Sequence, residues 1–218
     1  MDTKAGEPIR LLTISREYGA GGSELGVLLG ERLGWPVLDR DLAHRIAQRL
    51  GCGRANVEAI DERPPTLLER VAAAFTVAPA ESPVAPERWR TLDPDKLVAA
   101  TRAVLEEAVR ELPLVVIGHG ANCIFRGRRD ALRIRVTAPF ERRVRRIARR
   151  TGGTREAAAA DVRRRDADRR HYLERYYSID INDPNAYDLQ INTGTIPIET
   201  AARLVRAIVA GEAAVGGA

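Results

Sequence analysis

Residues 13–26 read TISREYGAGGSELG. An apolar run from Ile9 to Ser15 leads into the glycines, and Leu25, Leu28, Leu29 and Leu33 follow at helical spacing up to Gly34. This pattern predicts a buried strand over 9–15, a glycine loop, and a helix over 23–33. Glycines let backbone N–H groups turn toward an anion, and a helix start adds about half a positive charge. A phosphate loop ordinarily reads G-x-x-x-x-G-K-[ST]. Here Gly22 and Ser23 occupy the Lys and Ser/Thr positions. The loop keeps a hydroxyl, which either caps the helix or reaches a magnesium ion, and it lacks the lysine.

Composition limits what can replace that lysine. Lys4 and Lys96 are the only lysines among 35 cationic residues, so a cation at the loop must be an arginine. The planar arginine fork grips phosphate oxygens bidentately. Arg16, at the end of the first strand, is the candidate substitute.

Outward from the loop, strands are predicted at 36–39, 114–117, 133–137 and 188–192. Helices are predicted at 41–50, 66–75, 93–112, 139–150, 154–176 and 198–210, the third opened by Asp93-Pro94. Residues 76–91 carry Pro79, Pro83 and Pro86 and read as a flexible loop, and 211–218 as a frayed tail. Short strands alternating with helices imply one parallel sheet covered on both faces, with ligands beyond the carboxyl ends of its strands.

The chain of 218 residues is long enough for one full core. No apolar run approaches the ~20 residues of a membrane span. The first residues lack the apolar core of a signal peptide, so a cytoplasmic protein is expected. Cys52 and Cys123 are too few and too far apart for a disulfide framework or metal cluster and read as buried thiols. A net charge of +5 permits nucleic-acid binding, but aromatic residues for base stacking are only 5% of the chain. The expectation is no nucleic acid and no membrane.

Arg142, Arg145, Arg146 and Arg149 share i, i+3, i+4, i+7 spacing and form one helix face. A second arginine-rich stretch, Arg163 to Arg170, follows the Thr151-Gly-Gly-Thr154 hinge. Two such helices suit a lid that excludes water and clamps phosphates; solvated Asp–Arg pairs are the plain alternative. Asp39, Arg40 and Arg45 follow the second strand, with Asp39 the nearest acid to orient metal waters or an acceptor.

Taken together, TISREYGAGGSELG, GWPVLDRDL (34–42), VVIGHGAN (115–122) and NAYDLQINT (185–193) resemble the cytidylate kinase-like family, a divergent branch of the P-loop nucleoside monophosphate kinases. The likeness spans about residues 9–210 and omits 76–91. It implies an α/β, three-layer P-loop kinase fold with a five-stranded parallel sheet ordered 2-3-1-4-5. It implies a single kinase-like domain over 1–218, with a phosphate-loop unit at 9–34, an acceptor-binding helical region at 39–112 and an arginine-rich lid at 149–176. ATP with Mg2+ is expected on Gly19, Ala20, Gly21, Gly22 and Ser23, with Asn192 and Thr193 near the adenine. Arg45 falls where such kinases hold the acceptor phosphate; Asp166 and Arg169 fall in the lid-side cluster. The catalytic set is then Arg16, Arg146, Arg149, Arg169 and Asp39, and the acceptor set Arg40, Arg45, His119 and Asp166. The expected partners are ATP and a small phosphate acceptor, with the protein a monomer or homodimer.

His119 departs from the family pattern, which has arginine there. A histidine beside an acceptor phosphate is expected to tighten binding below about pH 6.5, its unperturbed value. Three functions remain in view. The first is transfer from ATP to a nucleoside monophosphate, CMP or dCMP foremost. The second is transfer to another small phosphate or alcohol. The third is nucleotide binding without catalysis, which the missing lysine encourages.

Overall fold

The computed structural model describes residues 7–39, 94–111 and 113–211. Arg40, Arg45, Cys52, the helices expected at 41–50 and 66–75, the loop at 76–91 and the tail beyond 211 lie outside the described residues. Elements are numbered here among the described ones.

Strand β1 (Leu11–Arg16) is buried along its whole length because it lies mid-sheet. The sheet runs β2 (Val37–Leu38), β3 (Leu114–Ile117), β1, β4 (Ala131–Thr137), β5 (Leu189–Asn192), all parallel, which is the expected order 2-3-1-4-5. Alternate residues feed two cores. Leu12, Ile14, Val115 and Ile117 face α1 (Gly22–Leu33) and α6 (Ile198–Val209), where Leu25, Leu29, Ala201 and Val205 meet them. Leu11, Leu114 and Val116 face α2 (Pro94–Ala108), the short α3 (Ala121–Ile124), and Tyr172 and Leu173 of α5 (Arg155–Tyr177). A third cluster joins α4 (Phe140–Thr151) to α5 through Val144, Ile147, Ala158 and Val162, with Tyr18 at its centre.

Helix α1 lies unusually close to the sheet. Gly22, Gly26 and Gly30 recur every fourth residue on its inner face, and all three are buried. A methyl group at Gly26 would meet Ile117 Cγ1 at 2.7 Å, and one at Gly30 would meet the Trp35 carbonyl at 3.0 Å. The stripe brings the helix N-terminus against the end of β1.

Several boundaries differ from the sequence expectation, β1 running Leu11–Arg16 instead of 9–15 among them. β4 starts at Ala131, two residues early, because Ala131 and Leu132 already pair with Leu11 and Leu12. β5 starts at Leu189, because Asp188 instead receives Arg133 bidentately at 2.9 and 3.0 Å. The helix expected to run to 112 ends at Ala108 and tightens into a 3-10 turn, Val109–Glu111. The 3-10 turn Pro184–Ala186 is not among the expected elements; Asp183, ahead of the proline, caps it by accepting from the Asn185 N–H. Among the described residues no helix is long and apolar enough to cross a membrane.

Candidate nucleotide and acceptor site

The glycine loop turns through two left-handed residues, Gly19 (φ +81°) and Gly21 (φ +86°), the second serving as N-cap of α1. Such angles suit glycine, which has no Cβ to clash. Ser23 is therefore the second residue of the helix and not its cap. Its Oγ is buried and makes no hydrogen bond among the described residues. An orphaned buried hydroxyl costs about 1–3 kcal/mol, which fits a position kept for a ligand. Thr193 ties the loop down from β5, donating to the Ala20 carbonyl at 2.6 Å. It acts as a tether beneath the loop, while Asn192 turns its Oδ1 to the Gly194 N–H at 2.8 Å.

Facing the loop is the arginine row of α4. Arg142, Arg145, Arg146 and Arg149 line a cleft of about 180 Å³ with Gly19, Ala138 and Thr193. Arg146 Nη1 lies 3.5 Å from the Gly19 carbonyl, directly above the loop. The helical spacing identified these four side chains, and the fold brings them onto the glycines.

The row is held in place partly by residues the sequence did not single out, Arg143, Glu17 and Tyr18, and partly by Asp166, which it read as an acceptor residue. Arg143 is buried and donates to the Ala138 carbonyl at 2.9 Å, the Tyr18 carbonyl at 3.2 Å and the Asp166 carboxylate. Glu17 lies 3.3 Å from it. Its signal was positional, since it shares the inward face with Phe140, Val144 and Ile147. Asp166 also accepts from the Tyr18 N–H at 2.8 Å, so it fastens α5 to the loop. Around the Tyr18 ring stand the guanidinium groups of Arg165 (4.6 Å), Arg150 (5.3 Å) and Arg169 (5.8 Å), with Arg150 donating to its hydroxyl.

At the ends of β1 and β3 lies a second cluster. Arg16 is 5% exposed, and its Nη2 approaches Asp39 at 3.6 Å. Its guanidinium lies against the backbone of Gly118, where a side chain would collide with it. Arg169 donates to the Arg16 carbonyl at 3.3 Å. Burial, and then the neighbouring Arg16, lower Arg169 to about 9. His119 holds a left-handed φ of +58° and sets Nε2 3.3 Å from the Asp39 carbonyl. Burial first, and then the charge of Arg16, lower its pKa to about 3. This corrects the expected proton uptake near pH 6.5: the ring stays neutral at physiological pH because it is desolvated among cations.

The structure thus forms two groups. Gly19, Thr193, Arg146 and Arg149 line the cleft, with Ala20 to Ser23 continuing the loop from Gly19 into α1; Arg16, Asp39, His119 and Arg169 converge at the strand ends, and Asp166 fastens the loop through the Tyr18 N–H. Ser23 fits a magnesium ligand. Among the described residues no three His, Cys, Asp or Glu gather to hold a metal, so magnesium here suits an ion carried in by a polyphosphate.

Residues 11–195 match the model of the cytidylate kinase-like family. A cytidylate kinase of Desulfurococcus amylolyticus is 34% identical over 117 residues, covering 54% of this chain and 63% of that protein. One from Saccharolobus islandicus is 24% identical over 196 residues, covering 89% of this chain and 88% of the relative. Among solved structures, an uncharacterized protein from Eubacterium ventriosum superposes with a TM-score of 0.65 at 16% identity, covering 92% of this chain and 98% of the other. Shikimate kinase from Acinetobacter baumannii superposes with a TM-score of 0.52 at 18% identity, covering 96% and 98%. The sheet order agrees with this likeness in fold. A family match over residues 11–195, most of the chain, leads to one conclusion: the chain belongs to the cytidylate kinase-like family.

Proposed function

We propose that the protein transfers a phosphoryl group from ATP, with Mg2+, to a nucleoside monophosphate, with CMP and dCMP the first candidates. The observation that carries this reading is the arginine-lined cleft over Gly19. Phosphoryl transfer needs positioning and charge neutralisation more than covalent chemistry. Gly19 to Gly22 would cradle the phosphates through backbone N–H groups, and Ser23 would hold the metal. Magnesium, when bound, neutralises charge on the transferring phosphoryl group. Arg146 and Arg149 would clamp that group from α4. The acceptor phosphate is already anionic at neutral pH, so its oxygen attacks without a general base. Asp39 and Arg169 would orient the acceptor from the strand ends, together with Arg40 and Arg45, while Asp166 holds the loop in place from α5.

A second reading keeps the kinase chemistry and changes the acceptor to another small phosphate or an alcohol. Neutral His119 favours it, because an uncharged ring at this position grips a phosphate more weakly than arginine. An ADP-release assay across ribo- and deoxynucleoside monophosphates, with small phosphates and polyols as further acceptors, separates the two. Turnover with CMP or dCMP above all others supports the first. ATP binding without transfer to any acceptor would overturn both in favour of a nucleotide-binding regulator.

A further inference from the structure

The absence of the loop lysine has a steric cause. A methyl group at Gly22 would lie 2.6 Å from Arg16 Cβ and 3.1 Å from its Cδ. The stem of Arg16 therefore fills the space in which a side chain at position 22 would begin. Only glycine fits there while Arg16 is present.

Arg16 does not thereby become the substitute. Its guanidinium leaves the loop, lies against Gly118 and meets Asp39, and it is not among the residues lining the cleft. A different cation is in position. A methyl group at Gly21 would fall on Arg146 Nη1 and lie 3.4 Å from its Cζ, so the guanidinium rests against the loop's last left-handed glycine. The same group is 3.5 Å from the Gly19 carbonyl and lines the cleft. Arg142, Arg145 and Arg149 share the cleft, but no hydrogen bond of theirs to the loop is found among the described residues.

We infer that Arg146, reaching over from α4, supplies the charge a phosphate loop ordinarily takes from its own lysine, and that Arg16 and Gly22 form a coupled pair that excludes that lysine. This rests on the cleft being a polyphosphate site, and it moves the lysine's role from Arg16 to Arg146. The charge then belongs to a helix outside the loop, so phosphate grip and the seating of α4 become one event.

Calorimetric binding of Mg-ATP and of inorganic tripolyphosphate tests this without requiring turnover. Arg146→Ala should weaken both by about tenfold or more, the scale of a charge-assisted hydrogen bond. Arg146→Lys should recover part of the loss. Arg203→Ala, an equal charge change at an exposed position of α6, should leave binding unchanged. Gly22→Lys alone should fold poorly or bind weakly, whereas Arg16→Ala/Gly22→Lys should be accommodated. The triple variant Arg16→Ala/Gly22→Lys/Arg146→Ala should regain tripolyphosphate affinity, because the lysine is back. Wild-type affinity in Arg146→Ala, or a folded triple variant without regained affinity, overturns the inference and leaves the nucleotide site standing. A wild-type protein that binds neither ligand overturns the polyphosphate site itself.

Discussion

His119 shares its burial with Arg16 and Arg169, and this sets a measurable pH response. Its pKa, lowered to about 3 in the fold, returns to about 6.5 when the chain unfolds. Between these values the unfolded chain takes up a proton that the folded chain refuses. Stability therefore rises with pH across that window and is lost as pH falls from about 6.5, by about 1 kcal/mol per unit from this residue. Chemical denaturation of the wild type and of His119→Asn, which tolerates a positive φ, should show a shallower slope between pH 6.5 and 5.0 in the variant. Parallel slopes would show that the ring is not held neutral. His119→Arg, which the family pattern suggests as a gain for acceptor binding, would instead place a third cation beside two buried ones and destabilise the fold. At this scale the sequence disclosed what lies on one element. The cleft row on α4 follows from periodicity, and the loop from its glycines. It did not disclose Tyr18, the loop-fastening role of Asp166, or the exclusion between Arg16 and Gly22. Those depend on contacts between segments far apart in the chain, and no local pattern carries them.

The closeness of α1 to the sheet comes from the stripe at Gly22, Gly26 and Gly30. Alanine in place of Gly26 sets two effects against each other. Helix propensity favours alanine by about 1 kcal/mol. The added methyl would meet Ile117 Cγ1 at 2.7 Å and Ile14 Cδ1 at 3.1 Å, and such overpacking costs about 1–3 kcal/mol. Overpacking should win, and Gly26→Ala should lower the urea midpoint with an unchanged m-value. A higher midpoint would mean that the sheet yields to the helix. The helical pair α4–α5 carries the second element-scale expectation. The sequence suggested a lid over residues 149–176 that opens as a whole. In the fold, Asp168, Arg169, Tyr172 and Leu173 are buried, and Asp166 holds the Tyr18 N–H. Amide exchange without ligand should therefore be fast at Thr151 to Arg155 and slow from Asp168 onward, and ATP should add protection chiefly along Arg142 to Gly153. Fast exchange throughout α5 would show the fastening to be ineffective. The strands were legible from their short apolar runs and the long helices from apolar residues recurring at helical spacing. Helix α3, four residues from Ala121 to Ile124, was not legible, since it spans barely one turn.

At the scale of the whole molecule, one parallel sheet with both covering layers followed from the alternation of strands and helices, because burial on two faces leaves continuous apolar runs, whereas the strand order came from the resemblance to the cytidylate kinase-like family. The placement of the arginine row over the glycines did not follow from that alternation, since it depends on how α4 lies across the end of the sheet. That placement also gives the protein an unusual chemical reactivity. A nucleotide site with a loop lysine is inactivated by amine-directed reagents. Here the groups facing the cleft are guanidiniums, and the chain's lysines are Lys4 and Lys96 alone. Acylating and Schiff-base reagents should leave ATP binding intact, whereas a dicarbonyl such as phenylglyoxal should abolish it, and bound ATP or tripolyphosphate should shield Arg142, Arg145, Arg146 and Arg149 from modification. Mass-spectrometric mapping of the modified positions reads this directly. Labelling of the four at equal rates with and without nucleotide would place the ligand elsewhere. The same feature makes the cleft a target for arginine-selective covalent probes that lysine-bearing phosphate loops would not retain.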